Sequence, residues 1–195
     1  MMNAIRAPLV VSLMLIPFVL LSLKSIGYPS GLGANPVEAI IHETGLWGIR
    51  FLMLTLLITP IAYYSGNRSI AKLGKPVGLM AFFYVLNHFL SYAIIDQAGD
   101  LAVIIVDIIE TPYLIVGWGG FLCLLGVASV SFKRLESWFN QNRSIISGLV
   151  YIATILGVWH FYWQTKVIEV EPLLYSVILL FLIVWRFKIT WGVKK

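Results

Sequence analysis

The chain has 195 residues, of which 59% are hydrophobic and only 12% are charged. Because soluble domains carry about 25% charged residues, this composition excludes a water-soluble globular protein and predicts an integral protein surrounded by membrane lipid. The net charge of +5 does not require a nucleic-acid partner, because basic residues concentrate on one side of membrane proteins.

Six stretches are apolar over a length close to the roughly 20 residues that cross a bilayer. They predict an all-α integral membrane protein, a six-helix transmembrane bundle that forms one domain over residues 1–195 without internal repeats. The first stretch follows Arg6 and precedes no small-residue cleavage site, so we interpret it as a retained anchor rather than a signal peptide. Pro60 is expected to kink or end the second span. The predicted spans are 8–27, 46–64, 76–97, 113–132, 145–165 and 172–188.

The distribution of charge predicts the orientation. Six helices place both termini on one side together with the connections 65–75 and 132–144, and this side carries eleven of the fourteen basic residues. The other side carries Lys24, Arg50 and Lys166, together with eight of the nine acidic residues. The positive-inside rule therefore places both termini in the cytoplasm.

The connections between spans contain short helical signals. Residues 37–42 are expected to form a short helical turn, and Thr44 to cap a helix that enters the membrane at Leu46. The apolar run 101–109 predicts an interfacial helix on the outer surface. Segment 133–144, which contains aromatic residues among basic ones, is expected to lie along the inner surface.

His88 and His160 are the two histidines inside predicted spans. They lie on the third and fifth spans, which run in the same direction, about 18 Å and 22 Å from the start of each helix. An ionisable side chain in the membrane is a functional hypothesis by default. Two imidazoles at matched depth predict the axial ligands of one haem iron.

Small residues on the same helix faces support this hypothesis. Gly157 and Ala153 lie one and two turns before His160, and Ala81 lies two turns before His88. They leave room for a porphyrin or for the close approach of a neighbouring helix. Two other readings stay open, in which each histidine hydrogen-bonds to a neighbouring helix or lies at the membrane interface.

His42 and three polar side chains are the remaining candidates near a cofactor. His42 is interpreted as a loop histidine, with contact to a haem propionate or to iron as the alternatives. The side chains expected around the histidines are Asn87, Ser91 and Tyr92, and no catalytic residue is predicted. The chain has one cysteine, Cys123, and no C-x-x-C-H motif, which excludes an internal disulfide and covalent c-type haem attachment.

The acidic loops on the outer side offer a docking surface for a basic partner. The alternative is a solvated outer face that follows from topology alone. The residues concerned are Asp96, Asp100, Asp107 and Glu110.

Several fragments, in order and spacing over nearly the whole chain, resemble one known family. It is the haem-binding membrane subunit of the bacterial periplasmic methionine-sulfoxide reductase system, within the ferric-reductase-like transmembrane superfamily. The fragments are GLGANPVE (31–38) followed by HETG (42–45), LITP (57–60), LNHFLSY (86–92), PYLIVG (112–117) and VWHFYW (158–163).

The resemblance implies a multi-pass b-type cytochrome of the bacterial inner membrane. It would act as the electron-transfer subunit of an oxidoreductase complex rather than as the catalytic subunit. A cytoplasmic flavin reductase or reduced flavin would supply the electrons, and a periplasmic molybdopterin subunit that reduces methionine sulfoxide would accept them. FMN is also associated with this family, and His88 and His160 fall on positions of its haem ligands.

Two positions, Ser147 and Thr111, depart from the family, whereas Lys75 keeps its basic character. Ser147 stands where a further histidine is usual, so we expect one haem b and not a second haem on the cytoplasmic side. Lys75 precedes the third span, at a position where the family tends to be basic. Thr111 stands at a position where the family has an arginine. Because the last span ends near Lys188, we expect no attached nicotinamide or flavin domain and therefore a separate electron donor.

Two other functions remain open at this point. One is a haem membrane subunit that serves a different partner, such as a ferric reductase. The other is a six-helix transporter or structural membrane protein without a cofactor. A visible absorption spectrum separates the haem proteins from the rest.

Overall fold

The computed structural model describes residues 2–131, 136–164 and 170–192, with the side chains of 2–6, 136, 139–140 and 190–192 left out. All regular structure in these ranges is helical, which confirms the predicted fold class. The helices are α1 (Met2–Ser25), α2 (Pro36–Ser65), α3 (Arg68–Ala71), α4 (Gly74–Leu90, continued by a π-helical turn Ser91–Asp96), α5 (Leu101–Glu110), α6 (Pro112–Ser129), α7 (Glu136–Gln141), α8 (Arg143–Gln164) and α9 (Val170–Gly192).

Six helical segments are long and apolar enough to cross a membrane, as the sequence predicts. Many large apolar side chains point outward from them, and Val177 and Phe181 on α9 are 65% and 66% exposed. A soluble surface rarely presents so much apolar area, whereas lipid solvates it. The segments are Ala7–Ser25, Pro36–Ser65, Arg68–Asp96, Pro112–Ser129, Arg143–Gln164 and Val170–Ile189.

Two antiparallel helix pairs form the centre of the bundle, α2 with α4 and α6 with α8. Glycines let each pair approach closely: a Cβ on Gly48 of α2 would lie 2.8 Å from a methyl group of Val85 on α4. On the other pair, a Cβ on Gly120 would lie 3.4 Å from the Ala153 carbonyl oxygen. α2 and α6 run in one direction, and their partners α4 and α8 run in the other. The two helices that carry the histidines are therefore parallel to each other, as expected.

The bundle has two ends of different charge. The end that carries residues 26–35, the π-helical turn and α5 is rich in acidic residues, and we call it the acidic end. The end that carries residues 66–73 and α7 is rich in basic residues, and we call it the basic end. α4 and α8 both begin at the basic end and run toward the acidic end.

The start of α2 differs from the prediction. The helix begins at Pro36, and the Asn35 side chain accepts from the Glu38 N–H at 3.3 Å, which caps it. Thr44 is buried in the helix interior, where its hydroxyl donates to the Ile40 carbonyl at 2.6 Å. The predicted cap at Thr44 is therefore wrong, and His42 lies on a helix rather than in a loop.

The end of the second span agrees with the prediction to within one residue. Pro60 does not end α2, which continues to Ser65 and stops at Gly66, whose left-handed φ of 65° suits glycine. The predicted helix at 101–109 is confirmed as α5, whose first N–H groups are capped by the Asp100 carboxylate. Segment 133–144 contains α7 in its described part, while residues 132–135 and 165–169 lie outside the described ranges.

Tyr84 joins α4 to the turn of α1 that contains Pro17. Proline has no N–H and its ring crowds the preceding turn of a helix. The Tyr84 hydroxyl donates to the Met14 carbonyl at 2.8 Å and accepts from the Phe18 N–H at 2.9 Å. It therefore links the two backbone groups that a regular α-helix would pair with each other.

Replacing Tyr84 with phenylalanine is expected to lower the free energy of unfolding by about 1–3 kcal/mol, because two backbone groups lose a buried partner. Thermal unfolding of the detergent-solubilised protein measures the change. The matched control is Tyr63→Phe at an exposed position near the end of α2, which is expected to change stability by less than about 0.5 kcal/mol. Equal melting temperatures for Tyr84→Phe and the wild type would contradict the role of this bridge.

Candidate functional site

A chamber of about 710 Å³ lies toward the acidic end between α2, α4, α6 and α8. Cavities that hold cofactors and drug-sized ligands measure roughly 300–1,000 Å³, so the chamber has the volume of a cofactor site. Its wall is mostly apolar and aromatic, and both His88 and His160 line it. We call it the outer chamber.

The two histidine rings face each other across the outer chamber. Their centroids are 6.1 Å apart, and the ring planes are inclined at 78°. The sequence predicted that these two side chains lie at matched depth on parallel helices, and the structure brings them together.

Each histidine is held by a backbone carbonyl of the neighbouring helix. Nδ1 of His88 is 2.8 Å from the Ile41 oxygen on α2, and Nδ1 of His160 is 2.7 Å from the Tyr113 oxygen on α6. A carbonyl oxygen only accepts hydrogen bonds, so both Nδ1 atoms carry the proton. Nε2 of each ring then keeps its lone pair for a metal.

A glycine lies beneath each imidazole. A Cβ on Gly45 would lie 2.9 Å from Nδ1 of His88, and a Cβ on Gly117 would lie 2.7 Å from Nδ1 of His160. Real Cβ contacts essentially never come so close. The histidines can therefore pack flat against α2 and α6 only because these positions lack a side chain.

The two halves of the outer chamber repeat one arrangement. Ile41 corresponds to Tyr113, Gly45 to Gly117 and His88 to His160, and the members of each pair are 72 residues apart. The carbonyl acceptor precedes its histidine by 47 residues in both halves. The helix pairs α2–α4 and α6–α8 thus form a local two-fold repeat, and the prediction of a chain without internal repeats is wrong.

The residues present fit a haem. With metal–nitrogen bonds of about 2 Å, two imidazoles on opposite sides of one metal ion have centroids about 6 Å apart, close to the observed 6.1 Å. Among the described residues, no three metal-binding side chains form a group that could hold a bare ion. Two imidazoles alone suit a metal whose other ligands would come from a macrocycle.

The other predicted cofactor contacts divide into two groups. Ala153, Gly157 and Tyr92 line the outer chamber, whereas Ala81 is completely buried and is not among the lining residues. His42 is exposed at the mouth of the chamber, with its ring 6.3 Å from that of Phe161. It therefore lines the mouth of the chamber and packs against Phe161.

Asn87 and Ser91 do not reach the chamber, contrary to expectation. The Asn87 amide donates to the Phe83 carbonyl at 2.8 Å, and the Ser91 hydroxyl donates to the Asn87 carbonyl at 2.8 Å. Both side chains bond to the backbone of their own helix. Tyr92 instead donates through its hydroxyl to the Asp107 carboxylate, which joins the π-helical turn to α5.

The sequence analysis missed the residues that orient the histidines. The acceptors at Ile41 and Tyr113 act through backbone atoms, so their side chains carry no signal. Gly45 and Gly117 were detectable, because each precedes its histidine by the same 43 residues. This shared spacing is the pattern that could have revealed them.

Arg50 ties α9 to the helix that forms one wall of the chamber. Its guanidinium donates to the Glu171 carboxylate at 2.8 Å and to the Tyr175 hydroxyl at 3.1 Å. The same guanidinium lies 4.8 Å above the Trp47 ring. This cluster fixes the start of α9 against α2 near the acidic end.

These features define a class of protein. A helical bundle with an apolar exterior encloses two facing imidazoles, each oriented by a carbonyl, in a chamber of cofactor size. This arrangement is typical of membrane cytochromes, whose haem is held between parallel or antiparallel helices.

Comparison with known proteins gives the family. Residues 44–162 match the family described as "Ferric reductase like transmembrane component". The relatives that carry the name protein-methionine-sulfoxide reductase heme-binding subunit MsrQ include proteins from Xanthomonas euvesicatoria pv. vesicatoria, 37% identical over 82% of this chain and 73% of the relative, and from Polaromonas naphthalenivorans, 34% identical over 92% and 82%. The corresponding protein of Brucella ovis is 36% identical over 83% of this chain and 73% of its own length.

The chain therefore belongs to the ferric reductase-like transmembrane family and, within it, to the MsrQ group. It is a multi-pass protein of the bacterial inner membrane, which agrees with both its apolar helices and these relatives.

Proposed function

We propose that this chain is the haem b subunit that carries electrons across the inner membrane to a periplasmic methionine-sulfoxide reductase. The observation that carries the proposal is the pair of facing imidazoles, His88 and His160, with centroids 6.1 Å apart. The names of the relatives, which describe a heme-binding subunit of a protein-methionine-sulfoxide reductase, support the same function.

His88 and His160 would hold the haem iron. A haem held by two imidazoles would supply one-electron transfer rather than chemistry on a substrate. The carbonyls of Ile41 and Tyr113 hold the two rings in the correct tautomer and orientation. The apolar walls, which include Phe89 and Phe161, would limit the access of water to the metal and so influence its potential.

One haem, rather than two, fits this chain. A second cavity near the basic end measures only about 170 Å³, below the size of usual cofactor sites. Lys75 and Ser147 stand there, each thirteen residues before one of the ligand histidines. Neither side chain suits haem iron at neutral pH.

The electrons would enter at the basic end and leave at the acidic end. A cytoplasmic flavin reductase or reduced flavin is the proposed donor, and a periplasmic molybdopterin subunit is the proposed acceptor. The proposal includes FMN bound to the chain itself, and the family resemblance alone supports this part.

The acidic end is proposed to dock the acceptor electrostatically. Asp96 and Glu110 are exposed there, whereas Asp107 is engaged by the Tyr92 and Thr111 hydroxyls. Raising the salt concentration from about 0.05 M to 0.5 M is expected to slow electron transfer to the acceptor several-fold, because exposed charges are screened within a few ångströms. Stopped-flow oxidation of the reduced protein measures the rate.

Matched variants separate docking from a general salt effect. The double variant Asp96→Asn/Glu110→Gln is expected to transfer electrons slowly and with little dependence on salt. Arg68→Gln, on the basic end, is expected to keep the rate and the salt dependence of the wild type. Salt-independent transfer by the wild type would remove the docking hypothesis.

The function itself is tested with the full chain in liposomes. We expect a flavin reductase system on the outside of inverted vesicles to reduce the haem, and the periplasmic reductase trapped inside to reoxidise it when methionine sulfoxide is present. Reoxidation that does not depend on the sulfoxide or on the reductase would contradict the proposed acceptor.

Ferric reduction is a second candidate, because the mouth of the outer chamber is acidic. Glu38, Asp96 and Asp107 line it, and carboxylates attract cations. The same vesicles distinguish the two functions: a ferric reductase would oxidise its haem with a trapped cationic ferric complex in the absence of any protein acceptor.

A further inference from the structure

Helix α5 has a large apolar surface that no described part of the chain covers. Its most exposed large side chains are Leu101, Ile105 and Ile109, at 73%, 57% and 67%. They follow one another at intervals of four residues, so they form one ridge along the helix. Val103 and Val106 are also exposed, which widens the apolar surface beside them. We call Leu101, Ile105 and Ile109 the α5 ridge.

The connections on either side keep α5 at the surface of the membrane. Residues 97–100 join it to the end of one membrane-spanning segment, and Thr111 alone joins it to the start of the next. Four extended residues reach about 14 Å at most, and α5 itself is about 15 Å long. Because both ends are tethered so closely, the helix lies along the leaflet at the acidic end.

The α5 ridge continues a surface that faces lipid. Ile94 and Ile95, in the span that ends before α5, are exposed, and so is Ile115 in the span that begins after it. The charged groups Asp100 and Glu110 are exposed at the two ends of the helix, which contains no lysine or arginine. An apolar side between charged ends suits the boundary between headgroups and acyl chains. Contact with lipid would here depend on apolar burial rather than on attraction to anionic headgroups.

The inward side of α5 forms part of the outer chamber. Asp107 and Ile108 line the chamber near its mouth, and the Asp107 carboxylate accepts from the hydroxyls of Tyr92 and Thr111. Tyr92 belongs to the π-helical turn, a distortion that is frequent at functional sites. The hydrogen bond from Tyr92 to Asp107 thus fastens α5 to the helix that carries His88.

We propose that α5 is a roof over one side of the outer chamber and that the bilayer holds it in place, with the α5 ridge inserted at the boundary between headgroups and acyl chains. Lipid on the ridge opposes movement of the helix away from the bundle, and the bond from Tyr92 to Asp107 fixes its inward side. A roof that stays closed slows the escape of a bound haem. Retention of haem rests on the function proposed for the outer chamber, whereas the contact with lipid does not.

The contact with lipid is tested by fluorescence in phosphatidylcholine nanodiscs. Ile105→Cys is made in a Cys123→Ser background and labelled with the polarity-sensitive fluorophore NBD, and acyl chains brominated near the headgroups serve as quenchers. We expect strong quenching, because interfacial helices bury their apolar side about 5–10 Å into this boundary. Val177→Cys, in the span α9 and 65% exposed, is the quenched control. Ser30→Cys, exposed in the connection before α2, is the control that is expected to stay unquenched.

Two results of the quenching experiment would overturn the proposal. One is an unquenched label at position 105, which would mean that the ridge faces water. The other is an emission shift at position 105 that appears only when the periplasmic reductase is added, which would assign the ridge to a protein partner.

Haem loss tests the roof itself. In nanodiscs, Ile105→Ser and Tyr92→Phe are expected to transfer haem to excess apomyoglobin several-fold faster than the wild type, because each variant loses one attachment of α5. The matched controls are Val177→Ser and Tyr28→Phe, at exposed positions that do not line the chamber, and they are expected to lose haem at the rate of the wild type.

Equal rates of haem loss in the wild type and in both roof variants would overturn the role in retention. A purified wild type without haem would contradict the function proposed for the outer chamber and, with it, this role in retention. The quenching result decides the contact with lipid in either case, so the two inferences fail separately.

Discussion

Haem is expected to be lost when either His88 or His160 is replaced by alanine. The purified wild type should carry about one haem b per chain and each variant close to none, because a single imidazole would leave the iron with only one protein ligand. The loss should affect both variants similarly, since the two rings are held in equivalent ways by backbone carbonyls. A pyridine haemochromogen assay against protein concentration measures the content.

His42→Ala is the matched control for the two ligand variants. Its ring is exposed at the mouth of the outer chamber and packs 6.3 Å from Phe161, so the variant is expected to keep its haem. Full haem content in His88→Ala would contradict the ligand assignment. Two haems in the wild type would show that Ser147 does not exclude the second site.

The helices and the histidine pair were predictable from sequence because both depend on properties that can be counted along the chain. Apolar length sets each span, and the distance of His88 and His160 from their helix starts sets their depth. The direction of the helices follows from counting the spans. These three facts were enough to place the two rings near each other.

The start of α2 was not predictable from hydropathy. Residues 37–45 include Glu38, His42 and Glu43, so the apolar signal begins only at Leu46. Helix formation here depends instead on the cap at Asn35 and on Pro36 at the first helical position. The misplaced start also put His42 in a loop and made Thr44 the cap of the helix.

The orientation of the imidazoles was beyond the sequence for a different reason. It depends on carbonyl oxygens, which every residue has, and on contacts between helices that are distant in the chain. The two-fold repeat was hidden because most paired positions differ in residue type, as Leu46 and Trp118 do. The same residue recurs where a close contact leaves no room for a side chain, as at Gly45 and Gly117 beneath the rings and at Gly48 and Gly120 between helices.

Replacing the glycines beneath the imidazoles is the second change that is expected to have a large effect on haem binding. Gly117→Ala is expected to weaken haem binding about 10- to 100-fold, the usual consequence of disturbing the groups that orient a metal ligand. The new Cβ would lie 2.7 Å from Nδ1, 2.9 Å from Cε1 and 3.1 Å from Cγ of His160. The ring cannot move away without losing the 2.7 Å hydrogen bond to the Tyr113 carbonyl.

The size of the clash predicts a ranking among glycine variants, which titration of the apoprotein with haem measures. Gly45→Ala is expected to act in the same direction but less strongly, because its Cβ would lie 2.9 Å from Nδ1 and 3.6 Å from Cγ of His88. Gly126→Ala on α6 is the control, since nothing lies within 4 Å of its Cβ and alanine favours a helix. Equal haem affinity in Gly117→Ala and Gly126→Ala would mean that the imidazole is not held against α6. The geometry of the outer chamber would then not explain how the haem iron is bound.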